Sequence, residues 1–296
     1  MKRVFFIVGP TAVGKSQIAA EVARRLGAEV LSADAFQIYR GLDMLTAKPD
    51  RETLAKAPHH LIGAVPLSEE MNAEKFREAA NKIVARGKPL LVAGGTGLYI
   101  KALTHGLAAL PAASPLLREK LERTTSEELF RSLRALDPVG AGKIDRQNRR
   151  RLIRAVEVCL LTGKPFSEQR TEWSEPAPED GILIERDRAE LYERINRRVA
   201  DMFSSGVVEE VRRAKSIGST AAQTLGLREI FSLIAGEISE VECITKIQQA
   251  SRRYAKRQLT WFRGQTNFPS LNLSAHDPAE AVEFISRSAS RVLTPG

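Results

Sequence analysis

The sequence predicts an α/β fold, a parallel sheet flanked by helices with an inserted all-helical subdomain. Three observations lead there: short apolar runs alternate with helical periodicity from Met1 to about Leu110, strand signals vanish between Leu110 and about Arg188, and a glycine-rich loop follows the first apolar run. That run, Val4-Phe5-Phe6-Ile7-Val8, is continuous, as a buried strand requires. It leads into Gly9-Pro10-Thr11-Ala12-Val13-Gly14-Lys15-Ser16. The spacing G-x-x-x-x-G-K-S between strand and helix is that of a phosphate loop, so the sheet is expected to form a P-loop core. Backbone N–H groups then wrap a diphosphate, Lys15 reaches its outer oxygens, and the Ser16 hydroxyl takes a place on Mg²⁺. The following helix adds the positive end of its dipole. A glycine turn that only links strand to helix is the competing reading.

The other elements follow in order. Helical spacing covers Ser16 to Leu26 and Ala73 to Arg86, and further strands are expected over Glu29 to Ser32 and Pro89 to Ala93. Each strand end is followed by chemistry: the phosphate loop after the first, Asp34 after the second, Gly94-Gly95-Thr96-Gly97 after the third. Ligands collect at such ends in an open parallel sheet. From Leu110 onward Pro111, Pro115, Pro138, Pro165, Pro176 and Pro178 punctuate helical segments. One of these, Asn148 to Thr162, stops at Gly163 with Lys164-Pro165 beyond. Ala189 to Phe262 is again amphipathic and should pack on the sheet. The expected domains are a core of 1–110 with 189–296 and an insert of 111–188. The last thirty or so residues, with a weak helix over Pro278 to Val292, are expected to be peripheral.

A chain of 296 residues buries a full-sized core. No apolar run is long enough to cross a bilayer and no leader follows Met1-Lys2-Arg3, so a cytoplasmic protein is expected. Cys159 and Cys243 have no C-x-x-C partner and are expected to be buried, reduced side chains. His59-His60 are adjacent and lack a third ligand at metal spacing, which favours a structural role. The net charge of +9 favours a polyanionic partner.

The phosphate loop alone does not separate an NTPase from a kinase or a diphosphate-handling transferase. An ATP-hydrolysing P-loop protein ends a later apolar strand with an Asp near Mg²⁺, whereas Pro89 to Ala93 runs into Gly94-Gly95-Thr96. The nearest carboxylate is Asp34, three residues before Gln37. An amide pairs with an adenine edge and a carboxylate accepts a proton from an exocyclic amine, but the same pair also fits a helix cap with a solvated Gln. Two basic clusters stand out, Arg146, Arg149, Arg150, Arg151 and Arg154, and then Arg252, Arg253, Lys256, Arg257 and Arg263, the second interleaved with Tyr254, Trp261 and Phe262. Each fits a solvated face; together they fit a phosphate-backbone track.

Gly9 to Ser16, Asp34 to Gln37, Tyr39-Arg40-Gly41-Leu42-Asp43, Thr46-Ala47-Lys48-Pro49, Pro58-His59-His60-Leu61-Ile62, Gly94-Gly95-Thr96-Gly97-Leu98-Tyr99 and Ala255-Lys256-Arg257-Gln258-Leu259-Thr260-Trp261-Phe262-Arg263 run in this order along the chain. Together they resemble the bacterial tRNA dimethylallyltransferases. The resemblance implies transfer of a dimethylallyl group from dimethylallyl diphosphate to N6 of the adenosine 3′-adjacent to the anticodon; Mg²⁺ at Ser16 is the expected cofactor, and a monomer is expected. It implies Asp34 and Thr96 as catalytic residues, with Asp34 taking the N6 proton, Gln37 reading the flipped adenine and Thr96 at the reaction channel. It gives tRNA contacts to Asp34, Ala35, Phe36, Gln37 and Thr96, to Arg118, Arg150, Arg151, Leu152, Ile153 and Arg154, to Gln223, Thr224, Leu225, Gly226, Leu227 and Arg228, and to Lys256 through Arg263. The chain departs from the family pattern at Ala35, where Ser is common, and at Leu225 to Glu229, where Tyr is common. A P-loop small-molecule or nucleoside kinase, and an RNA-binding protein whose loop is only a turn, are the other readings of subsets of these residues.

Overall fold

The computed structural model describes residues 3–108, 110–169 and 180–294. Pro176, Pro178 and the Met1-Lys2 start lie outside them. The described chain runs through β1 (Val4–Val8), α1 (Lys15–Leu26), β2 (Glu29–Ser32), α2 (Arg51–Ala55), β3 (His59–His60), α3 (Ala73–Val84), β4 (Leu90–Gly94) and α4 (Gly97–Thr104). Five helices follow, α5 (Pro115–Arg123), α6 (Ser126–Leu136), α7 (Pro138–Lys143), α8 (Arg149–Thr162) and α9 (Phe166–Gln169). The chain continues with β5 (Gly181–Glu185), α10 (Arg188–Ser204), α11 (Val207–Arg213), α12 (Leu227–Ile234), α13 (Glu240–Gln265), β6 (Ser270–Asn272) and α14 (Pro278–Leu293). It divides into two compact units, one holding every strand and the other the helices α5 to α9.

The sheet has the order β3-β2-β4-β1-β5-β6, parallel throughout. Its central strands β1 and β4 are apolar on both faces because helices cover both. Phe6, Val8, Leu31 and Val92 enter one core with Phe76, Tyr99, Ile247 and Phe262, while Phe5, Ile7, Val30 and Leu91 enter the other with Val22, Ile195 and Ile285. The register pairs Val8 with Gly94 and Ser32 with Ala93, so β1, β4 and β2 end level and their following loops converge.

Two expectations are corrected here. Residues 110–188 are not strand-free: Gly181–Glu185 is β5, paired with β1, and Ile182-Leu183-Ile184 is the apolar run that marks it in the sequence. The C-terminal segment is not peripheral either, because α14 packs on α1 and β1 and buries Ala281, Val282, Ile285, Ala289 and Leu293. Gly163 ends α8 in the left-handed region, as its sequence signal suggests. His59 and His60 form β3, where His60 Nε2 lies 2.7 Å from Glu29. Among the described residues no cluster could hold a metal on His, Cys, Asp and Glu alone, and no helix is long and apolar enough to cross a membrane. Both cysteines are buried and free, and burial pushes the Cys243 thiol up to about 11.

In the helical unit, Glu157 is fully buried on α8. It accepts from Arg118 Nε at 3.1 Å, Arg154 Nη1 at 2.7 Å and the Ser114 N–H at 3.0 Å. Arg154 Nη2 also donates to the Pro111 carbonyl at 2.7 Å. Arg149 donates to the carbonyls of Glu122 and Thr124, and Arg146 lies over the Phe130 ring. Four basic residues at or near the start of α8 or facing it are thus engaged within the unit, whereas Arg150 and Arg151 are exposed without such partners among the described residues.

Candidate active site

The phosphate loop turns into α1 through Gly14, whose φ of 110° falls in the left-handed region that a side chain would strain. Lys15 folds back onto it, donating from Nζ to the Pro10 carbonyl at 2.6 Å. Three arginines far along the chain also hold the loop. Arg198 Nη2 donates to Thr11 Oγ1 at 2.8 Å, Arg194 Nε to the Ala12 carbonyl at 3.0 Å and Arg186 Nε to the Val13 carbonyl at 3.0 Å. Sequence reading missed them. The available signal was Arg194 and Arg198 at i and i+4 on α10, a like-charge spacing that costs helix stability unless an anion or carbonyl faces it.

Burial lowers Lys15 to about 8 and Arg198 to about 10, and in both the negative charge of Asp34 works in the opposite direction. Arg198 Nε is buried with no hydrogen-bond partner among the described residues. A buried guanidinium N–H left unpaired is costly, and an anion is the partner that relieves it.

Asp34 stands at the end of β2 and faces these cations. Its Oδ1 accepts from the N–H groups of Phe36 at 2.9 Å and Gln37 at 3.2 Å, so one oxygen serves the turn. Thr96 Oγ1 accepts the Ala35 N–H at 3.0 Å, which ties the loop after β4 to the loop after β2. Gln37 is engaged within its own loop: Nε2 donates to the Ala47 carbonyl at 3.0 Å and Oε1 accepts from Ser32 Oγ at 3.3 Å. An opening of about 400 Å³ is lined by Lys15, Ser16, Asp34, Gln37, Lys48 and Arg198. A smaller cavity of about 50 Å³ continues from Asp34 and Arg198 toward Leu45, Val199, Met202 and Leu225. Of the two strands beside β1, β4 ends in Ala93-Gly94 with no carboxylate, while β5 ends in Glu185, which Arg263 engages.

Other residues expected to touch tRNA sort by exposure. Arg150, Arg151, Gln223, Arg228, Lys256, Arg257, Thr260 and Arg263 are exposed. Leu152, Ile153, Thr224, Leu227, Gln258 and Phe262 are buried, because helix periodicity or the turn before α12 directs them inward. Gly226 is buried and has no side chain to offer. Leu225 and Leu259 are partly buried, packed against the two cores. Phe262 cannot stack a base from the core, and Trp261 packs against it edge-on, 5.2 Å between ring centres. Arg118 and Arg154 are held by Glu157, and Arg263 donates to Glu185 at 2.6 Å.

Fold and site together define a class: a P-loop α/β protein whose phosphate loop is met by the partly buried cations Lys15, Arg194 and Arg198 and faced by Asp34. Comparison with known proteins then fixes the family. A family model described as IPP transferase matches residues 37–265. A tRNA dimethylallyltransferase from Akkermansia muciniphila is 40% identical over 281 residues, covering 94% of this chain and 96% of the relative. Another from Geobacter metallireducens is 43% identical over 278 residues, 88% of this chain and 89% of its own. The crystal structure of the full-length tRNA isopentenylpyrophosphate transferase from Bacillus halodurans matches with a TM-score of 0.70 at 33% identity, covering 99% and 98% of the two chains. A eukaryotic dimethylallyltransferase captured acting on tRNA matches at 0.78 and 25% identity, over 97% of this chain and 80% of that one. The chain belongs to the IPP transferase family, as the ordered motifs of its sequence imply.

Proposed function

We propose that the enzyme transfers a dimethylallyl group from dimethylallyl diphosphate to N6 of the adenosine 3′-adjacent to the anticodon of tRNAs. The observation that carries this reading is the juxtaposition at the level strand ends: partly buried Lys15 and Arg198, the latter with a buried, unpaired Nε, opposite Asp34. An adenine N6 lone pair is delocalised into the ring and is a poor nucleophile, so the reaction needs a base and a stabilised leaving group. The C1–O bond of the donor breaks as the N6–C1 bond forms. The N6 proton passes to Asp34 and the diphosphate departs into the loop. The target base is extruded from the anticodon loop to reach this point. The donor set fits Mg²⁺, since one hydroxyl, Ser16, with diphosphate oxygens and water suits an ion that keeps most of its waters; when bound it would neutralise charge on the leaving diphosphate. A monomer acting in the cytoplasm, where a tRNA substrate is met, is part of the same proposal.

The test is to incubate the enzyme with unmodified tRNA and either dimethylallyl diphosphate or ATP, then analyse nucleosides by mass. Dimethylallyladenosine in the first reaction is the expected result. RNA-independent ATP turnover in the second would indicate a kinase instead.

Two further results are expected. Affinity for inorganic diphosphate should fall as pH rises above about 8, up to tenfold per unit, because free enzyme loses the Lys15 proton that the anion retains. Below about 8 Lys15 is charged both free and bound and contributes no slope. Isothermal titration at fixed ionic strength reads this, and Lys15→Met should remove the limb specific to the lysine.

The basic residues of α8 should divide into two groups. Changing Arg150 and Arg151 to Ala is expected to leave melting unchanged and to make the slope of log tRNA affinity against log salt shallower by about one unit for each phosphate no longer neutralised. Arg154→Ala should instead destabilise the helical unit by about 2 kcal/mol, below the roughly 3–5 for breaking a fully buried pair, since Arg154 is partly exposed. Thermal and salt titrations of the two variants separate the roles.

A further inference from the structure

Gln258 lies on α13 between exposed Arg257 and partly buried Leu259, yet is itself only 6% exposed. With Ser251, Ala255 and Phe262 it forms the inward face of that helix. Its carboxamide is engaged at both ends. Oε1 accepts the Thr11 N–H at 2.8 Å and Nε2 donates to the Gly95 carbonyl at 2.9 Å. One side chain therefore joins the loop after β1 to the loop after β4. Its second terminus is next to Thr96, whose hydroxyl holds the N–H of Ala35 beside Asp34. The contact is close enough to dictate its partner: a Cβ on Gly95 would sit 2.3 Å from Gln258 Nε2 and 3.2 Å from the Gly9 carbonyl. The carboxamide offers an acceptor and a donor side by side on one planar group, which matches the two contacts.

We infer that Gln258 is a positioning residue that fixes the phosphate loop relative to Thr96 and Asp34, setting the distance between leaving group and base, and that it makes no contact with RNA; the inference rests on the transfer reaction proposed above. It follows that the Thr11 N–H is taken up by protein and that the anion is met by the loop from Ala12 onward. Reacting atoms must lie within about 3–3.5 Å in line, and a displacement near 1 Å costs on the order of 10²-fold in rate. A joint between the two loops is where such a displacement would originate.

The test compares Gln258→Met, which keeps length and loses both hydrogen bonds, with Gly95→Ala, which pushes on the same contact from the other side. In Gln258→Met, kcat with both substrates saturating is expected to fall roughly 30-fold or more and inorganic diphosphate to bind several-fold more weakly. Affinity for tRNA should stay within about twofold. Hydrogen exchange of the Thr11 amide, followed by NMR, should quicken at least tenfold. Gly95→Ala is expected to reproduce the fall in kcat. A purely structural role would lower melting temperature without moving kcat per folded enzyme, and that outcome overturns the inference. Lost tRNA affinity with kcat intact also overturns it and gives Gln258 to the RNA. Should the parent enzyme not prenylate tRNA, the reaction assignment falls, and the Thr11 amide with the diphosphate titration still decides what Gln258 holds. Should Gln258→Met not fold, the same measurements are made on Gln258→Asn, whose shorter carboxamide reaches at most one of the two loops; unchanged values there overturn the inference.

Discussion

Asp34→Asn is expected to lower the single-turnover rate of transfer by about 10² or more while tRNA and diphosphate still bind. Asn is the informative replacement because its Oδ1 can still accept the N–H groups of Phe36 and Gln37, so the turn survives and only the proton acceptor is lost. Asp34→Ala should lose the same chemistry and the turn contacts besides. The charge change has a second consequence. Asp34 opposes the effect of burial on Lys15, so without it the Lys15 ammonium titrates below about 8 and the pH above which diphosphate affinity declines moves down. Rapid-quench measurement with both substrates saturating reads the rate, and a value within a few-fold of the parent would remove Asp34 from the role of base.

Arg198→Met is expected to slow transfer by about 10²–10³ and to weaken donor binding, the scale seen when one preorganised donor to a developing negative charge is removed. The expected effect on stability has the opposite sign. Burial holds Arg198 down at about 10 and leaves its Nε unpaired, so the folded state carries an unfavourable term that the variant lacks. The melting temperature should stay level or rise as the rate collapses. A parallel fall in both would mean that Arg198 serves packing around Thr11, and the leaving-group assignment would not stand. Lys15→Ala should weaken the donor similarly, though its Pro10 contact makes loop geometry part of the loss.

Local rules made the central part of the site legible. A phosphate loop is a contiguous motif whose strand, glycines and helix adjoin one another in the chain, and β1, Gly9 to Ser16 and α1 fall where that pattern puts them. Asp34 and Thr96 were legible because a parallel sheet brings successive strand ends together, and the level register of β1, β2 and β4 does so here. The resemblance was legible because its motifs recur in order over most of the chain. Which residues of a segment face solvent was not legible, since a helix such as α13 presents Lys256 and Arg257 to solvent while burying Gln258 and Phe262. Neighbours in sequence point in different directions, and a segment has no single role.

The sequence by itself determined the fold class, the family, the phosphate loop and the aspartate opposite it, because each depends on residues close in the chain or on apolar periodicity. Only the tertiary structure decided what each charge and amide does. Glu157 takes Arg118 and Arg154 out of the set of free cations, Arg198 reaches Thr11 across 187 positions, and Gln258 reaches it across 247. Strands as short as β3 and β6, of two and three residues, likewise gained their identity from the sheet, having too few residues to show a period. The physical reason is common to all of these: a polar side chain has its function set by the partner that meets it and the solvent excluded around it, and neither is a property of its neighbours along the chain.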